Sequence, residues 1–414
     1  MTYREATEWL GGLRQFGARL GLDNMRALAA ASDNPQDHLR FIHVAGTNGK
    51  GSVCAMLASI LQRAGCRVGL YTSPHLLSLR ERIQINGQLI GEVDFATHAT
   101  AVRHGLPASQ GDPTSTLFEA ATAIALRHFA AQRCDWVVWE TGLGGRLDAT
   151  NIVTPAISVI THIALDHQDW LGHTIEAIAA EKAGIIKPAV PVLSGVDVTA
   201  ARAVIEQVAR EQHAPLTCVA EEADTALLGA HQRRNAGLAA AVARQLGIAD
   251  ETIRAGLATV QWPGRAQLIH VSGGRRILLD GAHNVAGAEA LAALLKAQFA
   301  GETKTLLIAC STDKDWMGMC RCLSPLAARV VAVPNYTEKA VPPESIAEQC
   351  RLTNPRAEVL ACISVEEGLR VAANDAFLVV TGSLYLVGGV MELLGCDPLL
   401  PRGERGLNEW AKVR

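Results

Sequence analysis

The stretch Phe41-Ile-His-Val-Ala-Gly-Thr-Asn-Gly-Lys-Gly-Ser-Val53 constrains this chain more than any other. An apolar run stops at Gly46, Gly49 and Gly51, with Lys50 between the last two. Val53, Met56, Leu57, Ile60 and Leu61 then recur at helical spacing until Gly65. That order predicts a strand, a glycine loop and a helix. Glycines let the backbone turn tightly and aim its N–H groups inward, the helix start adds its positive dipole end, and Lys50 supplies a point charge. The combination suits a polyphosphate. The strict phosphate-loop pattern is broken twice, by Val44 in place of its first glycine and by Gly51 after the lysine. Because Gly51 replaces the hydroxyl that usually binds magnesium, a metal ligand has to come from elsewhere. A glycine turn beside a surface lysine is the plainer alternative.

A chain of 414 residues has room for two domains or three. With 49% hydrophobic and 19% charged residues it can bury large cores. A net charge of −3 points neither to nucleic acid nor to an anionic membrane surface. The ten cysteines have no regular spacing, and Cys320-x-Cys322 lacks a second pair to complete a zinc site, so helix packing is the expected role of that pair. The amino terminus has no apolar signal core and no run reaches membrane-spanning length. A cytoplasmic protein acting on small molecules as a monomer is the expectation.

Along the chain, residues 1–40 read as helices around a loop at Leu20-Gly-Leu-Asp23. Val68–Thr72 reads as a buried strand ending in Ser73-Pro74-His75, and Arg82–Ile90 as a hairpin turning at Asn86-Gly87. Thr116–Gln132 is an expected helix carrying Phe118 and Glu119. Strands follow at Asp135–Trp139, Ala156–Ile160, Pro191–Ser194 and Leu216–Val219, with helices at Val198–Gln212 and His231–Leu246, the last closing the first half. Trp262-Pro-Gly-Arg265 reads as a turn, which places a boundary between domains 1–264 and 265–414. A second series begins at Ile277–Asp280, with strands at 305–310, 329–334, 358–362 and 376–380 and helices at about 284–299, 343–350, 365–373 and 384–395. Strands separated by helices imply parallel sheets with right-handed crossovers, so both halves are three-layer α/β.

Ligands of open parallel sheets sit beyond the carboxyl ends of the strands. Lys50 with Ser52, Ser73, Glu140 and His167 all stand at such ends. A hydroxyl, a carboxylate and an imidazole beside a phosphate loop make a magnesium site, with Ser73 filling the vacancy left by Gly51, although imidazole is an unusual ligand for so hard an ion. Singly, Ser73 could cap a turn and His167 could bond within a loop. Lys182, read alone, is a solvated helix charge. Gly142-Leu-Gly-Gly145 brings backbone close to a ligand or simply turns. Asp280-Gly-Ala-His-Asn284 again ends a strand with an acid and a histidine, and Asn284 there suits a helix cap.

These motifs occur in a fixed order: Gly46–Ser52, Tyr71–His75, Phe118-Glu119, Glu140–Asn151, Leu165–His167, Glu181–Ile185, Pro263–Arg265, Asp280–Asn284, Asp313–Asp315 and Thr381–Ser383. In them the chain resembles the folylpolyglutamate synthase/dihydrofolate synthase family of the Mur ligase superfamily, over nearly its whole length. The resemblance implies an α/β P-loop domain, three-layered with a mostly parallel sheet, and a smaller Rossmann-like carboxyl-terminal domain with the active site between. It implies an ATP-dependent amide ligase using Mg2+, dihydropteroate, folates and L-glutamate. By match, Gly46, Thr47, Asn48, Gly49, Lys50, Gly51 and Ser52 cradle the phosphates. Ser73, Glu140 and His167 hold magnesium, and Lys182 matches a lysine whose carbamylation adds a further metal-binding carboxylate. Asn235 matches an adenine contact. Arg265, Asp280 and His283 match nucleotide contacts, and Phe118 and Asp148 match the pterin pocket. The alternative for Asp148 is a cap on the turn before Thr150. The Leu20-Gly-Leu-Asp-Asn24 loop resembles a segment that covers the pterin. Val285 departs from the family's usual proline, and Cys310-Ser311 replaces small residues.

The implied chemistry is coherent. A carboxylate acylates poorly because its oxygen leaves badly. Phosphorylation by ATP makes an acyl phosphate, and the amine of glutamate then displaces phosphate. Lys50 and the loop N–H groups spread charge on the transferring group, and domain closure excludes water. Two rivals stand beside this. A ligase for cell-wall nucleotides is opposed by Phe118-Glu119, by Gly144–Asp148 and by the glycine loop's early position. A nucleotide-gated switch would use the loop without amide chemistry.

Overall fold

The computed structural model describes residues 1–16, 21–106, 115–396 and 404–408. Leu20, at the head of the expected pterin-covering loop, lies outside them. The first sheet is built from β1 (Phe41–Ala45), β2 (Val68–Tyr71), β3 (Ile83–Ile85), β4 (Gln88–Leu89), β5 (Trp136–Glu140), β6 (Ile157–Ile160), β7 (Val192–Ser194) and β8 (Leu216–Cys218). Their order is β4-β3-β2-β5-β1-β6-β7-β8. β2, β5, β1, β6, β7 and β8 run parallel, while β3 and β4 form the antiparallel edge. Asn86 and Gly87 both take positive φ, 49° and 76°, the left-handed pair a two-residue hairpin needs.

β1, β2, β5, β6 and β7 are buried on both faces, so they are apolar on both, while β8 at the parallel edge is largely exposed. Phe41 joins Phe129, Trp139 and the helices Tyr3–Gly12, Asp23–Ala30, Glu92–His104 and Leu117–Ala131 on one side. Ile42 and Val44 join Met56, Leu57 and Val138 on the other, under the helices Lys50–Arg63, Ala230–Gln245 and Asp250–Thr259. Helix Leu117–Ala131 starts where a capping box starts it. Thr116 Oγ1 accepts from the Glu119 N–H, and Glu119 Oε2 accepts from the Thr116 N–H at 2.7 Å.

The second sheet holds β9 (Gln267–His270), β10 (Arg276–Leu279), β11 (Thr305–Ile308), β12 (Arg329–Ala332), β13 (Glu358–Ala361) and β14 (Phe377–Thr381) in the order β13-β12-β11-β14-β10-β9. All pair in parallel except β9, antiparallel at the edge. Helices Val285–Gln298, Trp316–Leu323 and Pro343–Thr353 cover one face. Helices Val365–Val371 and Leu384–Leu393 cover the other. Both units are three-layered.

Among the described residues, β9 and three helices of eight residues or more fall where the sequence reading assigned none. β9 opens the second sheet ahead of Ile277, and its side chains are half-exposed, so they lack a buried strand's apolar run. Helices Glu92–His104 and Trp316–Leu323 are the second and third. Helix Asp250–Thr259, beyond the expected last helix of the first half, is the fourth, and Gly256 sits inside it. A Cβ at Gly256 would lie 2.6 Å from the Ile60 backbone. This glycine lets two helices touch and disguises one of them. Among the described residues no helix is long and apolar enough to cross a membrane.

Candidate active site

The glycine loop joins β1 to helix Lys50–Arg63 and is fastened to the segment leaving β6. The Thr47 N–H donates to the His162 carbonyl at 2.8 Å, Thr47 Oγ1 to the Ala164 carbonyl at 3.1 Å, and Thr161 Oγ1 to the Asn48 carbonyl at 2.8 Å. A Cβ on Gly46 would fall 1.8 Å from Thr161 Oγ1, so no side chain fits there. Gly49, with φ 89°, occupies the N-cap without a side-chain cap bond. The first N–H groups of the helix are thus left to an anion. Gly51 also has a reason: a Cβ there would meet the Trp262 indole at 3.0 Å. Asn235 Oδ1 lies 2.6 Å from a Cβ built on Gly49, and its amide donates to Gln232 at 3.1 Å. Gln232 in turn donates to Ser52 Oγ at 3.1 Å, so Ser52 faces that helix. Lys50 curls back to the Thr47 carbonyl, 3.4 Å away.

Beside the loop, the N–H of Ser73 donates to Glu140 Oε2 at 3.1 Å, which ties the ends of β2 and β5 together. The Glu140 carboxylate is buried. Burial raises its pKa, while the Lys50 charge, the Ser73 N–H and the Arg265 charge pull the other way. Lys182 overturns its reading as a solvated charge. It is 4% exposed, and its ammonium donates to the Gly46 carbonyl at 2.7 Å. Burial and then the Lys50 charge bring its pKa down to about 7. The periodicity of its own helix carries no sign of this, because the burial comes from the glycine loop more than a hundred residues earlier.

The Gly142–Gly145 loop closes another side. Asp148, expected to meet a pterin, is spent on its own loop. Its Oδ2 accepts from the N–H groups of Gly142 and Leu143 at 3.0 and 2.8 Å. Its Oδ1 accepts from the Thr150 N–H at 3.0 Å and the Thr150 hydroxyl at 2.5 Å. These four donors fill a carboxylate's acceptor sites, which describes the cap before Thr150 and not an open pterin contact. Phe118 packs on the same loop; a Cβ on Gly142 would lie 2.5 Å from its ring.

The second unit roofs the cleft. Asp280 accepts from the Ala266 and Ala282 N–H groups at 2.8 and 2.9 Å, binding the turn after Gly264 to the end of β10. Arg265 lies over Gly281, where a Cβ would be 2.4 Å from its guanidinium. His283 Nδ1 donates to the Gly281 carbonyl at 2.9 Å, and its Nε2 stands 3.6 Å from Asp166 Oδ2. Asp166, noticed in the sequence only as part of a motif, is the hub of this seam. It accepts from Lys314, from the Asn284 amide at 2.9 Å and from the His167 N–H at 2.8 Å. Burial works to raise its pKa, but the His283 hydrogen bond and the Lys314 charge hold it far below the usual carboxylate range. Asn284 caps helix Val285–Gln298, as expected, and also exchanges amide hydrogen bonds with Asn48 at 3.1 and 3.2 Å. Lys314 entered the sequence reading only within the Asp313–Asp315 motif, and the bridging role of Asn284 escaped it; their position in strand-end loops of the second sheet was the available signal.

The expected metal set therefore stands in two parts. Ser73 and Glu140 touch. His167 keeps company with Asp166 and Lys314, whose ammonium lies 3.4 Å from its Nε2. Its place in the cleft and then the Lys314 charge lower its pKa to about 3. Among the described residues no three His, Cys, Asp or Glu side chains form a ready cluster. A buried carboxylate with one protein donor beside a serine nonetheless fits a hard, oxygen-seeking ion.

Comparisons with known proteins match this fold. Residues 44–225 match the Mur ligase middle domain, and residues 264–384 match the Mur ligase glutamate ligase domain. The chain is 34% identical to the dihydrofolate synthase/folylpolyglutamate synthase of Bacillus subtilis over 95% of its own length and 99% of that protein's. Among solved structures, Escherichia coli FolC in complex with DHPP and ADP superposes with a TM-score of 0.86 at 32% identity, covering 96% of this chain and 98% of that one. A Mycobacterium tuberculosis folylpolyglutamate synthase complexed with ADP and AMPPCP gives a TM-score of 0.87 at 30% identity, over 95% of this chain and 99% of that one.

Proposed function

We propose a mechanism from the premise that this chain belongs to the dihydrofolate synthase/folylpolyglutamate synthase family of Mur ligases. It is an ATP-dependent ligase that joins L-glutamate to dihydropteroate and to folates. The observation that carries the assignment of roles is the convergence at one set of strand ends. An uncapped phosphate loop, a buried lysine with its pKa near 7 and a buried carboxylate with one protein donor meet there.

Gly46, Thr47, Asn48, Gly49, Gly51 and Ser52 shape the phosphate cradle, and Lys50 balances charge as the γ-phosphoryl group moves to the acceptor carboxylate. Asn235, packed on Gly49, faces the nucleotide from the side. Arg265, Asp280 and His283 complete the nucleotide site from above. Ser73, Glu140, His167 and a carbamylated Lys182 would hold magnesium, which when bound supplies charge neutralisation to the phosphates. Carbamylation needs a neutral amine, and Lys182 at about 7 offers one near neutral pH. Phe118 offers a ring to the pterin, and Asp148 shapes the loop beneath it. We place the protein in the cytoplasm, on its ten free thiols. We take it as a monomer, with a boundary near residue 264 at the Trp262–Arg265 turn that precedes the second sheet.

The decisive experiment is multiple-turnover phosphate release with dihydropteroate, tetrahydrofolate and a cell-wall precursor as acceptors, with and without glutamate. Release that requires a pterin acid together with glutamate is expected. Release with the precursor, or release independent of glutamate, overturns the assignment.

A further inference from the structure

We propose that Asn408 and Glu404, at the far end of the chain, are positioning residues for the loop that carries Ser73, and that through it they set the affinity of the site for magnesium-bound nucleotide. This rests on the roles given above to Ser73 and Glu140.

After helix Leu384–Leu393, the short 3-10 helix Glu404–Asn408 is seated against the first unit, on the loop running from Ser73 to Arg82. The Asn408 carboxamide clamps the backbone of His75 at both poles. Its Oδ1 accepts from the His75 N–H at 3.2 Å and its Nδ2 donates to the His75 carbonyl at 2.8 Å. The same Oδ1 accepts from the Arg82 guanidinium at 2.7 Å. His75 lies two residues beyond Ser73, whose own N–H is held by Glu140. The loop is thus gripped at Ser73 by the site and at His75 by the tail.

Glu404 grips it further along. Its Oε2 accepts from the Leu79 N–H and the Ser78 hydroxyl, both at 2.8 Å, and the Tyr3 hydroxyl donates to its Oε1 at 2.8 Å. The Glu404 carbonyl accepts from His75 Nε2 at 3.0 Å, and Arg82 Nε donates to His75 Nδ1 at 3.0 Å. That ring is therefore neutral, one nitrogen a donor and the other an acceptor, and burial with the Arg82 charge holds its pKa well below the ordinary value. His75, Ser78, Arg82, Glu404 and Asn408 are all buried. So many satisfied polar groups out of water fix one geometry, because each lost partner leaves a buried donor or acceptor unpaired.

The tail also ties the two units together. Tyr385, on a helix of the second, donates to the Asn408 carbonyl at 3.1 Å. Leu76 and Leu77, from the gripped loop, belong to the second unit's core with Val387 and Leu386. Gly264, at the turn between units, lies against Leu76 and Val387. A movement of the tail therefore reaches Ser73 through the loop and the roof through Tyr385.

The test uses full-length Asn408→Ala, Asn408→Asp, Glu404→Gln and Tyr385→Phe with Mg·ADP as the probe in titration calorimetry, beside thermal melts. Asn408→Ala should weaken Mg·ADP about tenfold, the equivalent of about 1.4 kcal/mol, with a smaller fall in kcat at saturation. Asn408→Asp keeps the acceptor for Arg82 and the His75 N–H but loses the donor to the His75 carbonyl, so its Mg·ADP affinity should fall between those of wild type and Asn408→Ala. Tyr385→Phe and Glu404→Gln should move affinity in the same direction. Unchanged Mg·ADP affinity in all four variants, or lowered melting temperature alone, overturns the proposal. Ser73→Ala and Glu140→Gln run alongside. If those two bind Mg·ADP normally, the site reading itself fails; if they weaken it while the tail variants do not, only the tail's role fails.

Discussion

The floor of the cleft and its seam carry similar charges and use them in opposite ways. On the floor, among the described residues, Lys50 reaches a single carbonyl at 3.4 Å and Glu140 takes one N–H. At the seam, Asp166 gathers Lys314, Asn284, His283 and the His167 N–H around one carboxylate. A buried charge is expensive unless paired. The seam therefore spends its charges on docking two units, while the floor's are held for a ligand that brings its own. Truncating a floor residue should remove chemistry and spare the fold. Truncating a seam residue should loosen closure.

The largest effect that would break this contrast is at Lys50. Lys50→Ala should lower kcat by at least about 10²–10³-fold, the cost of removing one preorganised electrostatic partner, with an unchanged melting temperature. Turnover near wild type would dismiss the phosphate-loop reading. Glu140→Gln comes next. Losing a full charge beside the nucleotide should raise half-saturating magnesium by about tenfold or more, and an overlapping magnesium titration would show that Glu140 is no ligand.

Lys182 sharpens the comparison through pH. Its pKa is about 7 in the folded protein against 10.5 for an ordinary lysine. Between those values the unfolded chain holds a proton that the folded protein has released. Stability attributable to this group therefore rises with pH across that window and is at its lowest below about 7. Lys182→Met should flatten the rise in a denaturant series from pH 6.5 to 10. In Lys182→Ala, which leaves the space open, added short carboxylic acids should restore part of the lost activity by refilling the carbamate's place. A slope unchanged from wild type would mean that the proton is not lost on folding.

At the seam, Asn284→Asp keeps a good helix cap but turns the donor to Asp166 into a second acceptor. We expect a loss of about tenfold in kcat/KM, the effect of about 1.4 kcal/mol, mostly in the KM for ATP, with little change in helix content. A loss confined to stability would reduce Asn284 to its cap.

The line between legible and hidden runs along sequence distance. The glycine loop, the Asn86-Gly87 hairpin and the helix following Thr116 are local patterns, and each appears where its residues predict. β9 and helix Asp250–Thr259 were hidden because an edge strand need not be apolar and a helix may carry Gly256 for close packing. The buried state of Lys182 and the partners of Asp166 depend on residues 136 and up to 148 positions away, and no local period encodes those.

Asp148 is the residue on which the comparison can still turn. It lies on the floor, yet it is saturated as a seam residue is, with four donors from its own loop. The family match expected it to meet the pterin, and then its loss should fall hardest on dihydropteroate. The hydrogen bonds support the other outcome. Asp148→Ala would free the Gly142, Leu143 and Thr150 N–H groups and the Thr150 hydroxyl together, leaving up to four groups unpaired at about 1–3 kcal/mol for each that water cannot reach. The Gly142 loop would shift under Phe118, and both acceptors would feel it alike. We therefore expect kcat/KM for dihydropteroate and for tetrahydrofolate to fall together, their ratio changing by less than about threefold, or under about 0.7 kcal/mol of discrimination. Asp148→Asn, which keeps one acceptor oxygen, should recover part of both. A loss about tenfold greater for dihydropteroate, worth about 1.4 kcal/mol, would place the carboxylate against the pterin edge and return it to the floor.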